Sequence, residues 1–210
     1  MKKFVAIGVV ISLLSGLAHA QPKRMERDVA KQRAAVTAWT ECIAEERRDE
    51  VKAVLLLDYR DDGYKSDLNE LAQTRVSKRC FDAMPRAYRQ IRLTGLPFAG
   101  GLAEHVIESS DKPLLTRLSM AAIGLNPATF SYTDQVAMCT VRGAPHLAAK
   151  LFKTEIETAE EQAALAELLP VTDVCTRRGT PIEASPLAIR SMLATASYRL
   201  LAAQEEVEDA

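Results

Sequence analysis

The chain reads as an all-α protein: two tandem helical units, each stapled by one disulfide, packed as one compact body. Three observations predict this. Apolar residues recur at spacings of three and four along most of the chain, no alternating strand run of useful length occurs, and four cysteines form two similarly spaced pairs behind an export-type leader. With 210 residues, 48% apolar and 26% charged, the chain can build a sizeable core, and collagen-like, coiled-coil and strongly disordered classes are excluded.

The leader comes first. Lys2 and Lys3, an apolar run from Phe4 to Leu17, and Ala18-His19-Ala20 are the charged, apolar and small-residue parts of a secretory signal peptide cleaved near Ala20. The run is about 14 residues, short of the roughly 20 that span a bilayer, so no membrane insertion is expected after cleavage. Position 21 is Gln21 rather than a cysteine, which disfavours a lipid-anchored precursor. Without the leader, 25 basic residues face 28 acidic ones, and a net charge near −3 leaves no electrostatic footprint for nucleic acid.

Cys42, Cys80, Cys139 and Cys175 are an even set in an exported chain, which reads as two disulfides. A zinc site wants close pairs such as C-x-x-C, whereas the shortest spacing here is 36, and a catalytic thiol needs a histidine partner that only His105 or His146 could supply after cleavage. Cys42 and Cys80 lie 38 residues apart, Cys139 and Cys175 36. Val76 and Val171 each precede the second cysteine by four residues, and Leu102-Ala103 is echoed by Leu193-Ala194. These recurrences describe a diverged duplication of a unit of about 95 residues. On that reading Cys42–Cys80 and Cys139–Cys175 are the simplest pairing, each closing a loop that stabilises the fold by about 4 kcal/mol in the chain-entropy account.

The expected organisation is a leader over 1–20, helical unit one over 21–110, a linking helix and turn over 111–128, and helical unit two with an acidic tail over 129–210. In unit one, Val29, Ala30, Ala34, Ala35, Ala38, Trp39 and Cys42 mark an amphipathic helix over 28–43, followed by a turn near Arg48 and a second helix over 50–57. That turn is placed by analogy with Gly143-Ala144-Pro145 in unit two, where glycine and proline force a break. Asp67 and Glu70 resemble a capping box and predict a helix running from there toward Cys80. Phe98 opens a helix over 98–109. In the link, Asp111 is expected to cap a helix over 113–123 that Gly124 closes. Thr158 with Glu161 opens the next helix, and Pro170 is expected to end or kink it, leaving 171–177 as a separate turn. Ser185 followed by Pro186 is an N-cap with proline at the first helical position, opening a helix over 186–205.

Few residues carry chemistry. The stretch from Asp58 to Glu70 half matches a calcium loop, with Asp58, Asp62, Gly63 and Ser66 in place. It puts Arg60 where a ligand oxygen belongs and Asn69 where a bidentate carboxylate is needed, so it reads as a capped, solvated turn. Glu104 beside His105 is an acid/base candidate, although adjacent helical residues point about 100° apart. No hydrolase elbow, phosphate-binding glycine loop or paired-histidine zinc motif occurs, and no cofactor and no metal ligand set is expected. Gly100-Gly101 reads as close helix packing rather than a phosphate cradle. Tyr59, Tyr64, Tyr88 and Tyr132, with Trp39 and Phe98, are candidates to line a groove between the units; a place in the core accounts for Trp39 and Phe98 equally well, and the loop tyrosines form the candidate contact surface.

The leader, the doubled cysteine pair and the closing Pro-Leu-Ala-Ile-Arg-Ser-Met-Leu-Ala segment from Pro186 resemble uncharacterised exported helical proteins of Gram-negative bacteria. That resemblance covers most of the mature chain and implies a periplasmic or secreted protein, with no activity attached. The resulting expectation is a non-enzymatic partner-binding or scaffold module of the cell envelope, its partner an envelope protein or peptide. The alternatives are an envelope hydrolase using Glu104 and His105, and a small-ligand or metal-binding protein.

Overall fold

The computed structural model describes residues 28–73, 75–84, 95–177 and 180–208. The leader and Tyr88 lie outside the described residues. Within them the chain forms ten helices and no strand. These are α1 Val29–Glu46, α2 Arg48–Leu56, α3 Asp62–Leu71, α4 Lys78–Ala83, α5 Gly95–Glu108, α6 Leu114–Ile123, α7 Tyr132–Gly143, α8 Pro145–Phe152, α9 Ala159–Cys175 and α10 Pro186–Glu208. Both disulfides form as the duplicated spacing implied. Cys42–Cys80 ties α1 to α4 and Cys139–Cys175 ties α7 to the end of α9, with Cα separations of 5.5 and 5.8 Å.

The caps explain several boundaries. Asp28, Ser77, Ser131 and Thr158 each accept a backbone N–H three residues on, closing the first turns of α1, α4, α7 and α9. Between α1 and α2, Arg47 breaks the helix with φ −123° and ψ 38°; between α7 and α8, Ala144 does so with φ −143° and ψ 62°. The N–H of each still reaches back four residues, to the Ile43 and Thr140 carbonyls, so both corners are tight.

α2 and α5 start two and three residues earlier than the sequence reading, at Arg48 and Gly95, and three further boundaries differ in kind. Asp67 lies inside α3, which starts at Asp62 and stops at Leu71, and Cys80 sits on the separate helix α4. The buried Trp39 indole donates to the Leu71 carbonyl at 3.2 Å, so the end of α3 is satisfied by a side chain instead of a further helical turn. Asp111 does not cap α6; Pro113 occupies the N-cap position. Pro170 does not end α9. Proline removes one backbone bond, but the last turn is held from outside by the disulfide and by a Thr140–Thr172 hydroxyl contact at 3.4 Å.

The core is built on α5 and α10, which pack against each other and against α1 and α7 respectively. A Cβ on Gly100 would fall 2.3 Å from that of Ser191, and one on Gly101 would fall 2.8 Å from the Thr40 hydroxyl. The two glycines therefore set how closely α5 meets α10 and α1. Trp39, Phe98, Leu102, Ile107, Leu193 and Leu200 fill the space around that contact.

Candidate functional site

Four helices meet at a buried chain of alternating charges. Glu161, in the first turn of α9 and 0% exposed, accepts both Arg33 Nη atoms at 2.9 and 2.6 Å, Arg190 Nη1 at 3.0 Å and the Glu157 N–H at 2.9 Å. Arg190 in turn grips Glu104, its Nε lying 3.1 and 3.0 Å from the two carboxylate oxygens, and donates to the Thr154 carbonyl at 3.0 Å. Burial alone would push the Glu161 carboxyl up, but the Arg33 bonds, the Glu157 N–H and both guanidinium charges outweigh it and hold it below the usual range. Arg190 is pulled down by burial and carried above its ordinary value by Glu104 and Glu161. Glu157 takes a left-handed φ of 59°, unusual for a glutamate, and is held there by its N–H on Glu161 and its carboxylate on Arg33.

Above this chain opens a polar cavity of about 590 Å³, lined by Thr37 and Thr40 of α1, Glu104, His105 and Glu108 of α5, and Arg117 of α6. The Glu104–His105 pair read from sequence does face one cavity, but both members are engaged. Both oxygens of Glu104 take Arg190. His105 bonds to the Thr37 backbone; burial pulls its imidazole down, against the pull of Glu41 and Glu104. Glu108 is different. Desolvation against the cavity wall, with the negative charges of Glu104, Glu155 and Glu41, lifts its carboxyl to about 7 against the pull of Arg190, although the residue is exposed near the end of α5, and no ion pair of its own occurs among the described residues. Arg117 donates to the Lys112 and Ile107 carbonyls, and burial pulls it below its ordinary value against the pull of the Glu205 carboxylate.

A second cavity of about 360 Å³ lies at Tyr59 and Tyr64, with Leu68, Leu96, Met192 and Arg199 around it. The Tyr59 ring meets Tyr64 and Phe130 edge-on, at centroid distances of 6.4 and 6.0 Å. The Arg199 guanidinium sits 4.7 Å from the Phe130 centroid, donates to the Leu55 carbonyl at 3.1 Å and pairs with Asp134 at 2.8 Å. Asp134 also accepts the Phe130 N–H at 2.9 Å, so the ion pair is buried and supported on both sides.

Of the tyrosines read as a contact surface, Tyr59 and Tyr64 are brought together. Tyr132 instead pins the chain after α9, its hydroxyl donating to the Thr180 carbonyl and accepting the Arg177 N–H, both at 2.8 Å. The half-matched calcium loop is taken apart: Asp58 bonds Arg60, which holds its carboxyl down to about 2, and Asp62 opens α3. No group of three His, Cys, Asp or Glu suited to a metal ion occurs among the described residues. Sequence reasoning missed Arg33, Arg190, Arg199 and Asp134 as site residues. The available signal was a cation on an otherwise apolar helical stripe, as at Arg190 beside Leu193 and Ala194.

No family model, curated protein or solved structure matches this chain. No helix among the described residues is long and apolar enough to cross a membrane, and the two disulfides suggest an oxidising, extracytoplasmic location.

Proposed function

We propose that this is an exported, non-enzymatic binding module of the cell envelope, released by cleavage near Ala20, which captures a partner protein or peptide through the Tyr59–Tyr64 cavity. The observation that carries the reading is that cavity: apolar walls with tyrosine edges around a rigid, internally neutralised Arg199–Asp134 pair. About 360 Å³ is near the low end of small-molecule sites and suits one or two apolar side chains of a partner. Tyrosines combine large contact area with few rotatable bonds, which suits them to such anchoring. The hydrolase alternative draws no support from Glu104 and His105, since one is spent on Arg190 and the other on the Thr37 backbone.

The module is read as a duplicated unit. Its support includes the paired corners at Arg47 and Ala144 and the matched disulfides. It also includes the positions of the cavities. Thr37, Glu104 and Glu108 line one; Asp134, Thr195 and Arg199, displaced by 97, 91 and 91 residues, line the other. Each cavity borrows a wall from the opposite unit, Ile156 in the polar one and Tyr59, 97 residues earlier, in the tyrosine one.

A photo-reactive residue in place of Lys65, which lines the tyrosine cavity and is 56% exposed, tests this in cells. The expected result is a discrete adduct, absent when the probe replaces the exposed Val174. A synthetic peptide from the captured segment should then bind the purified protein, and Tyr59→Ala or Tyr64→Ala should weaken it about tenfold or more without unfolding the chain. Identical adducts from both probe positions, or a peptide indifferent to both tyrosines, would overturn the proposal.

A further inference from the structure

The two disulfides sit in different surroundings. Cys42 and Cys80 belong to the buried apolar core with Trp39 and Met84, and the Glu46 carboxylate, itself paired with Arg79, lies 3.8 Å from Cys80 Sγ. Cys139 is exposed and Cys175 half-buried, and Val174 beside it is 85% exposed. An open groove of about 600 Å³ runs to Cys139, which shares its wall with Gln135 and Arg142, at four and three residues along the same face of α7. The Arg142 guanidinium is fixed there by the Leu125 and Gly124 carbonyls, at 3.0 and 3.3 Å. A cation on that wall favours the approach of a thiolate, whereas a carboxylate stands beside the buried bridge. What the second bridge holds is also lightly built. Beyond Leu168 no residue of α9 is buried, Pro170 interrupts its backbone bonding, and Val171 and Thr172 meet α7 only at its Gly143 and Thr140.

We infer that Cys139–Cys175 is a thiol-exchange site, opened through this groove by a dithiol reductant while Cys42–Cys80 stays closed. A thiolate of the dithiol attacks Cys139 Sγ; a mixed disulfide forms, the Cys139–Cys175 bond breaks, and its electron pair leaves on Cys175 Sγ, which takes a proton from water. The second thiol of the reductant, once deprotonated, attacks its own partner sulfur in the mixed disulfide and releases Cys139 as a thiolate, which is protonated in turn. The protein disulfide has then gained two electrons and two protons, and the dithiol has become a disulfide. Opening frees the last turn of α9, the part that Pro170 separates from the packed helix. The site lies apart from the tyrosine cavity, and exchange there does not depend on whether that cavity captures a partner.

Reduction of the purified, oxidised full chain with dithiothreitol under native conditions, quenched with N-ethylmaleimide and read by peptide mass spectrometry, tests the inference. Cys139 and Cys175 should be labelled about tenfold or more faster than Cys42 and Cys80, because a buried bridge waits for the core to open. The emission of Trp39, the single tryptophan, should stay unchanged meanwhile, and amide exchange over 171–175 should rise. With glutathione, a monothiol, the adduct should form mainly on Cys139. Equal labelling rates for the two bridges, earlier opening of Cys42–Cys80, or labelling of Cys139 only after the Trp39 emission has changed would overturn the inference. So would a glutathione adduct found mainly on Cys175, or amide exchange over 171–175 that reduction leaves unaltered.

Discussion

The two cavities flank the same α5–α10 contact, yet they treat charge in opposite ways. At the tyrosine cavity the cation on α10 is closed within the protein: Arg199 has Asp134, the Leu55 carbonyl and the Phe130 ring, and nothing is left for a ligand to neutralise. At the polar cavity Glu108, near the end of α5, makes no ion pair among the described residues. The lesson is that two cavities built on the same helix pair differ in their electrostatics through one buried counter-charge, Asp134.

Removing that side chain is the most severe way to break the contrast. Asp134→Asn leaves the Arg199 guanidinium, only about 6% exposed, without its anion. Breaking a buried pair from one side costs about 3–5 kcal/mol, so urea denaturation should show a large loss of stability. A change under 1 kcal/mol would mean that Phe130 and the Leu55 carbonyl suffice. A smaller effect is expected at the α5–α10 contact itself. Gly100→Ala drives a methyl into Ser191 and should cost about 1–3 kcal/mol through separation of α5 and α10, read from the same denaturation curves.

The smallest effect sharpens the contrast by its sign. The Glu108 carboxyl, raised from 4.5 to about 7 in the folded protein, stays protonated over a pH range in which the unfolded chain has already released its proton. Its contribution to stability is therefore full below about 4.5 and is lost as pH rises toward about 7. Glu104 and His105 on α5, Arg190 on α10, Glu155 after α8, Glu41 on α1 and Arg117 on α6 share its surroundings. Glu108→Gln should accordingly stabilise the protein at pH 8 and make little difference at pH 4, as read from the urea midpoints. A gain that is equal at both pH values would show that the raised Glu108 carboxyl is not its cause.

Much of this fold is legible residue by residue. Gly143-Ala144-Pro145 breaks a helix whatever surrounds it, Thr158 and Ser185-Pro186 mark helix starts, and cysteine spacing pointed to the pairing that forms. Gly100 and Gly101 were recognisable as packing positions because glycine inside a helix is unfavourable without a close neighbour. The end of α3 and the continuity of α9 through Pro170 were not legible. Both are settled by groups distant in sequence, the Trp39 indole in one case and the α7 disulfide in the other. Of the candidate site, Tyr59, Tyr64, Glu104 and His105 could be named from sequence, but not what engages them.

Helical class, the disulfide framework and most helix starts followed from short-range rules: periodicity, capping chemistry and backbone restriction act within a few residues and leave their mark on the string. The ion chain from Arg33 through Glu161 and Arg190 to Glu104, and the difference between a closed and an open cavity, joined residues up to 128 apart. Electrostatics in a desolvated interior depends on distance in space and on which counter-charge is also buried, and neither is written in sequence order.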